Sequence, residues 1–220
     1  MRNRFVLYVG IIAVMLLSGC ATVSKMPLNA GMAGVDTAQK SILIAKVTIQ
    51  NKKSLAHQPK LCCVFLEKEG ETLSFTEPTL VSEISREGKE YLVSADVLPG
   101  KAKVNMARFI RQVPMLLMAM ADLPFDQEID VPPNSVVYIG NITAVIRDKS
   151  GDEPAAGSLF PLIDQAVAGF STGTFDVEII DNYDADIQEF RSQYPQMKNR
   201  EVIKKILPSW VHPEKKDAAI

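Results

Sequence analysis

Few residues in this chain have both the type and the company that chemistry needs. Two adjacent cysteines, Cys62 and Cys63, stand in the run LCCVFL. Neighbours on a strand point to opposite faces, and a disulfide between them closes a strained eight-membered ring. A metal or redox site wants CxxC spacing or histidine company, and neither is present. The pair is expected as two buried small hydrophobes, with a disulfide between chains as the alternative. The chain has 2 histidines. His57 lies in the polar stretch NKKSLAHQPK and His212 in the tail, so Ser-His-Asp or Cys-His catalysis would rest on His57. No nucleophile-elbow sequence accompanies it, and a solvated loop histidine is expected.

Asp181, Asp184 and Asp186 invite a calcium reading. They lack the ligand spacing, the glycine and the terminal glutamate of an EF-hand loop. Acidic residues at a helix start stabilise its dipole, which accounts for them without a metal. Nothing singles out a carboxylate pair of the kind that hydrolyses glycosides. No catalytic residue, metal or cofactor is expected. The one unusual surface candidate is apolar: Met115, Leu116, Leu117, Met118 and Met120 in segment 107–124, with Leu159, Phe160 and Phe170 in segment 150–172. Methionine-rich segments form adaptable binding surfaces, although their ordinary fate is the core.

The 220 residues suit one domain plus ends, at 47% apolar and 23% charged. A net charge of −2 offers a nucleic acid no electrostatic footing. The N-terminus is a separate object. Arg2 and Arg4 precede an uncharged apolar run, Phe5 to Leu17, too short to span a bilayer and the length of a secretory h-region. Residues 1–19 are therefore expected to be a signal peptide. Leu17-Ser18-Gly19-Cys20 resembles the lipobox of bacterial lipoproteins. That resemblance implies cleavage before Cys20, a diacylglyceryl group on its sulfur and acylation of its freed amine. Two or three long chains at about 0.8 kcal/mol per buried CH₂ anchor firmly. Ala21 follows where an aspartate would resemble an inner-membrane retention signal, so the resemblance implies an outer-membrane location facing the periplasm. In that context the sequon Asn141-Ile142-Thr143 is incidental.

These residues need elements to position them. Residues 20–40 read as the lipidated cysteine and a flexible tether, reaching roughly 25 Å. Period-two alternation then predicts strands: Leu43, Ala45, Val47 and Ile49 share a face, and Tyr91, Val93, Ala95 and Val97 do likewise. Leu61 to Leu66, apolar on both faces, reads as a central strand. Pro99-Gly100 turns the chain into Ala102, Val104 and Met106. Phe125–Val131, Val136–Ile146 and Thr174–Ile180 follow. At least seven short strands predict an antiparallel β-sandwich over 41–207. Asp181 or Asn182 caps a predicted helix through Tyr194, and a second helix is expected from Asn199 to Leu207. Segments 107–124 and 150–172 are apolar enough to be helical insertions. Residues 208–220 read as a disordered tail.

The run from Tyr91 to Leu98-Pro99-Gly100-Lys101 resembles the transthyretin-like, or carboxypeptidase-regulatory-like, sandwich. Val137-Tyr138-Ile139-Gly140-Asn141-Ile142, Phe175-Asp176-Val177-Glu178 and Asp181-Asn182-Tyr183, with Asp184, Asp186, Phe190 and Tyr194-Pro195, resemble a group of bacterial lipoproteins carrying such a domain. The resemblance covers roughly 41–207 and implies a non-enzymatic envelope protein. The leading expectation is a membrane-anchored binding or assembly module acting through protein–protein contacts. The alternatives are an envelope hydrolase acting on cell-wall or sugar material, and a lipid or small-ligand carrier. A carrier requires an apolar cavity on the order of several hundred Å³.

Overall fold

A computed structural model describes residues 22–29, 34–84, 88–112, 118–158 and 162–213. Cys20, Met115, Leu116, Leu117, Leu159 and Phe160 lie outside the described residues. Strands follow in the order β1 (Thr22–Lys25), β2 (Ser41–Asn51), β3 (Lys60–Lys68), β4 (Glu71–Thr76), β5 (Thr79–Ile84), β6 (Gly88–Val97), β7 (Gly100–Gln112), β8 (Met118–Val131) and β9 (Val136–Asp148). Helix α1 (Leu162–Ala168), β10 (Gly173–Ile180), helix α2 (Tyr183–Gln193), a 3-10 turn (Pro195–Met197) and β11 (Val202–Lys204) complete them. Sheet A has the order β1-β4-β3-β7-β8 and sheet B the order β10-β9-β2-β6-β5. The expected β-sandwich is present. Most pairings are antiparallel, but β2 runs parallel to β9, and β1 runs parallel to β4.

Alternation explains the main core. Leu43, Ala45, Val47 and Ile49 point from β2 toward Val104, Ala107 and Phe109 of β7 and the inner face of β8. The rings of Phe109 and Phe175 meet across the gap with centroids 5.9 Å apart. A fully buried aliphatic or aromatic side chain contributes about 1.5–3 kcal/mol. An apolar cavity between the sheets measures about 40 Å³, close to the space of one water molecule, and cannot hold a lipid.

Sheet B is buried on its other face as well. Ile187 and Phe190 of α2, followed by Tyr194 and Met197, pack on Ile42, Ile44, Leu92 and Tyr138. The expected C-terminal helix is thus present. Its acidic start does more than favour the dipole. Asp186 is 1% exposed and accepts hydrogen bonds from the Tyr138 hydroxyl at 2.6 Å, Asn141 Nδ2 at 3.0 Å and Asn182 Nδ2 at 2.9 Å. Burial first, and then the Asp186 carboxylate, drive the Tyr138 phenol pKa upward, so it stays a proton donor. Tyr138 and Asn141 would face opposite ways on a regular strand. A register shift opposite Ile44–Lys46 turns them to one side. Gly140 permits it, with φ 130° and Ile179 Cγ2 3.0 Å from where a β-carbon would stand.

Several expectations are corrected. Residues 199–207 form no second helix. Val202–Lys204 pairs with Val136–Tyr138, the part of the β9 edge that β10 leaves free, so backbone pairing outweighs helical spacing. Segment 107–124 is not a helical insertion. Its described residues extend β7 and β8, with Ala119, Ala121 and Leu123 inward and Met118 and Met120 outward. The tether is shorter than expected, because β1 pairs with β4 and Met26, Leu28 and Val35 are buried in the two cores. The tail is packed as far as Pro213: Trp210 Nε1 donates to Pro124 O at 2.7 Å, and the His212 ring meets Thr174 Oγ1 at 2.8 Å.

Replacing Asp186 by Ala leaves the buried Tyr138 hydroxyl and Asn141 amide without their acceptor. The expected loss is about 2–4 kcal/mol, read in a thermal melt as a fall in Tm of about 5–10 °C.

Candidate functional site

The registers of sheet A define two ends of the sandwich. Thr22 is level with Leu73, Leu66, Val104 and Gln127 in turn, whereas Gln112 and Met118 form the last row before β7 leads into β8. Eight residues separate Val104 from Gln112, or about 26 Å at ~3.3 Å per residue. The chain therefore enters at a base, and the β7–β8 connection marks a tip.

The tip is unusually apolar on its outside. Met118 is 46% and Met120 39% exposed, and Ile110 and exposed Lys60 continue the Met120 row. Segment 150–172 comes to the same place. Asp122 N donates to Ala156 O at 3.1 Å, and Ala121 forms a β-bridge with Gly157. Gly157 is forced by space. A β-carbon there would lie 2.5 Å from Met120 O, 2.5 Å from Gln165 Oε1 and 2.8 Å from Phe170 Cβ.

Helix α1 sits against β8 with its polarity inverted. Ile163 is 72% and Val167 44% exposed, while Asp164 is 2% and Gln165 0% exposed. Asp164 Oδ2 and both amide atoms of Gln165 are buried without a hydrogen-bond partner among the described residues. Each orphaned group costs about 1–3 kcal/mol. Folding stability alone gives no reason for this orientation, which leaves an apolar face outward. Of the predicted surface residues, Met118 and Met120 are exposed at the tip. Phe170 is corrected to core: it is fully buried, and its carbonyl holds Gly157 N at 3.0 Å. Ile163 and Val167 escaped the sequence reading. The signal was available as LIDQAVA, where turning the aliphatics inward would leave Asp164 and Gln165 outside.

The other candidates are explained by packing. His57 is not a freely solvated histidine: its Nδ1 lies 2.7 Å from Ser54 Oγ within one turn. Among the described residues no carboxylate hydrogen-bonds its ring. The loop is held by Asn51, whose Nδ2 donates to His57 O at 3.0 Å and Ala168 O at 2.9 Å. Asp181 pairs with Lys204 at 2.5 Å, and that ammonium holds the Asp181 carboxyl below its usual range. No group of three potential metal ligands occurs among the described residues.

A groove of about 820 Å³ crosses the outer face of β9 and β10, between Thr143, Val145 and Arg147 on one side and Trp210, His212 and Pro213 on the other. Arg147 bridges Glu153 at 2.8 Å and Asp176 at 2.7 Å. Its guanidinium pulls the Glu153 carboxyl down to about 2. These carboxylates are engaged in holding the 150–156 loop. Thr174, 1% exposed, is closed to a substrate, and its bond to His212 ties down the C-terminal segment.

No protein-family model, curated protein or solved structure matches the chain.

Gln165→Leu removes an orphaned amide and is expected to stabilise the protein by about 1–2 kcal/mol. A calorimetric Tm above that of the parent is the expected result; a lower Tm would show that the amide is bonded in the free protein.

Proposed function

We propose that this protein is a lipid-anchored lipoprotein of the bacterial outer membrane, facing the periplasm, whose transthyretin-like sandwich binds a protein partner through its tip. The single observation that carries the contact site is the exposure of Met118 and Met120 on β8 together with that of Ile163 and Val167 on α1, the helix packed against the same strand. The lipobox supports the anchor. Cys20 lies two residues before β1, a sequence separation that spans at most about 7 Å. The tip is then directed away from that membrane by roughly the Val104-to-Gln112 span of β7, about 26 Å. That distance favours a protein over the anchoring bilayer as the occupant. The partner chemistry that fits is an aliphatic surface with a carboxylate opposite Lys60.

Two measurements test this reading. Metabolic labelling with an alkynyl palmitate is expected to mark the parent protein and not Cys20→Ala; equal labelling of both refutes the anchor. A photo-crosslinking amino acid at position 118 or 163 is expected to capture one and the same envelope protein in cells. The same group at position 178, on the distant face of β10, should not. Met120→Glu is expected to reduce that capture at least tenfold with Tm unchanged. Phospholipid adducts at both tip positions, or capture insensitive to Met120→Glu, would overturn the protein contact.

A further inference from the structure

The expectation that Cys62 and Cys63 point to opposite faces fails for a local reason. Leu61 stands opposite Phe109, but Cys63 stands opposite Arg108, so the β3–β7 pairing advances two residues against one. Cys62 is the extra residue of a β-bulge, a device that re-aims side chains. The Cys63 thiol now points at its neighbour, with Sγ to Sγ 3.2 Å. Both are free thiols, Cys62 partly exposed and Cys63 buried. The Arg108 guanidinium stands in the same row, paired with Asp122 at 2.7 and 2.8 Å and 5.3 Å from the centre of the Phe65 ring. Burial pushes the Cys63 thiol pKa up most; Arg108 draws it down and Asp122 pushes it up, both by less.

We propose that Cys62 and Cys63 are a reversible dithiol switch that closes to a vicinal disulfide by exchange with a disulfide-bearing oxidant. Cys62 gives its proton to solvent, and its thiolate attacks one sulfur of the oxidant R–S–S–R. This forms a Cys62–S–S–R mixed disulfide and releases RS⁻, which takes up a proton. Cys63 Sγ then attacks Cys62 Sγ, and the second RS⁻ leaves with the Cys63 proton. The protein dithiol loses two electrons and two protons, and the oxidant becomes two RSH. The order follows from the surroundings. Burial, with the bond to Cys62, pushes the Cys63 thiol up to about 12, so Cys63 keeps its proton until its neighbour has been activated.

Closure shortens the sulfur separation to about 2.05 Å, a movement of roughly 1.2 Å. Adjacent α-carbons are about 3.8 Å apart, short of the ~4.4–6.8 Å window of relaxed disulfides. The ring is therefore strained, and strained disulfides are the easily reduced, regulatory ones. That makes the pair a switch and not a staple.

The test uses the full chain, incubated with oxidised glutathione, treated with iodoacetamide, unfolded, and digested for mass spectrometry. The peptide containing both cysteines is expected unalkylated, lighter by two hydrogens and in a monomer, with both thiols restored by excess reduced glutathione. Cys63→Ser is expected to stall with glutathione on Cys62, and Cys62→Ser to remain unmodified. Phenylarsine oxide, which bridges paired thiols, is expected to bind the parent one-to-one and neither variant. Glutathione retained on Cys62 of the parent, a disulfide-linked dimer, or two alkylated thiols after oxidation would each overturn the proposal.

Discussion

The burial of one carboxylate organises this fold. Asp186 sits between helix and sheet with its oxygens engaged by Tyr138, Asn141 and Asn182. A buried charge survives only when its surroundings satisfy it, so α2 has little freedom in how it lies on sheet B. That placement lets Phe190, Tyr194 and Met197 cover Ile42, Ile44 and Leu92, and leaves Leu28 and Val35 to fill the margin. Strand β9, which carries Tyr138 and Asn141, is also the strand on which β2, β10 and β11 pair. One polar cluster thus fixes the layer against which the remainder of the chain packs.

A different economy governs the tip. In α2 the polar group turned inward is satisfied; in α1 Asp164 Oδ2 and the Gln165 amide are turned inward and find no partner among the described residues. The contrast separates an element whose inward polar group is bonded from one whose inward polar groups are not. Gly157 records the same constraint from the other side, since the tight approach of Met120, Gln165 and Phe170 leaves no room for a side chain. The tip is held firmly in an orientation that leaves buried polar atoms without partners among the described residues.

What could be read from residue order follows physical lines. Long alternating runs in β2, β6 and β9 and the helical spacing of Ile187 and Phe190 were legible, because burial of one face imposes a period. Three things were not. A bulge costs a single residue and leaves no trace in composition, so neither the convergence of Tyr138 with Asn141 nor that of Cys62 with Cys63 could be foreseen. Val202–Lys204 carries helical spacing, and only a free stretch of β9 edge makes it a strand. The polarity of α1 depends on which face β8 presents, a tertiary fact absent from seven residues of local pattern. Half of the candidate site was therefore visible as methionines and the other half was concealed within a helix.

The parallel pair β2–β9 has a further implication, in time. Ile42 lies beside Val136, so the centre of sheet B cannot form until the chain beyond residue 136 is available. Pairings so distant in sequence make folding slow, and in the interval β2 exposes a long aliphatic edge of the kind that aggregates. A chain emerging from its N-terminus can pair β2 with β6, but it holds the other edge of β2 open until residues 136–146 follow. Its vulnerable period is its own synthesis, and its demand for protection falls before the native fold exists.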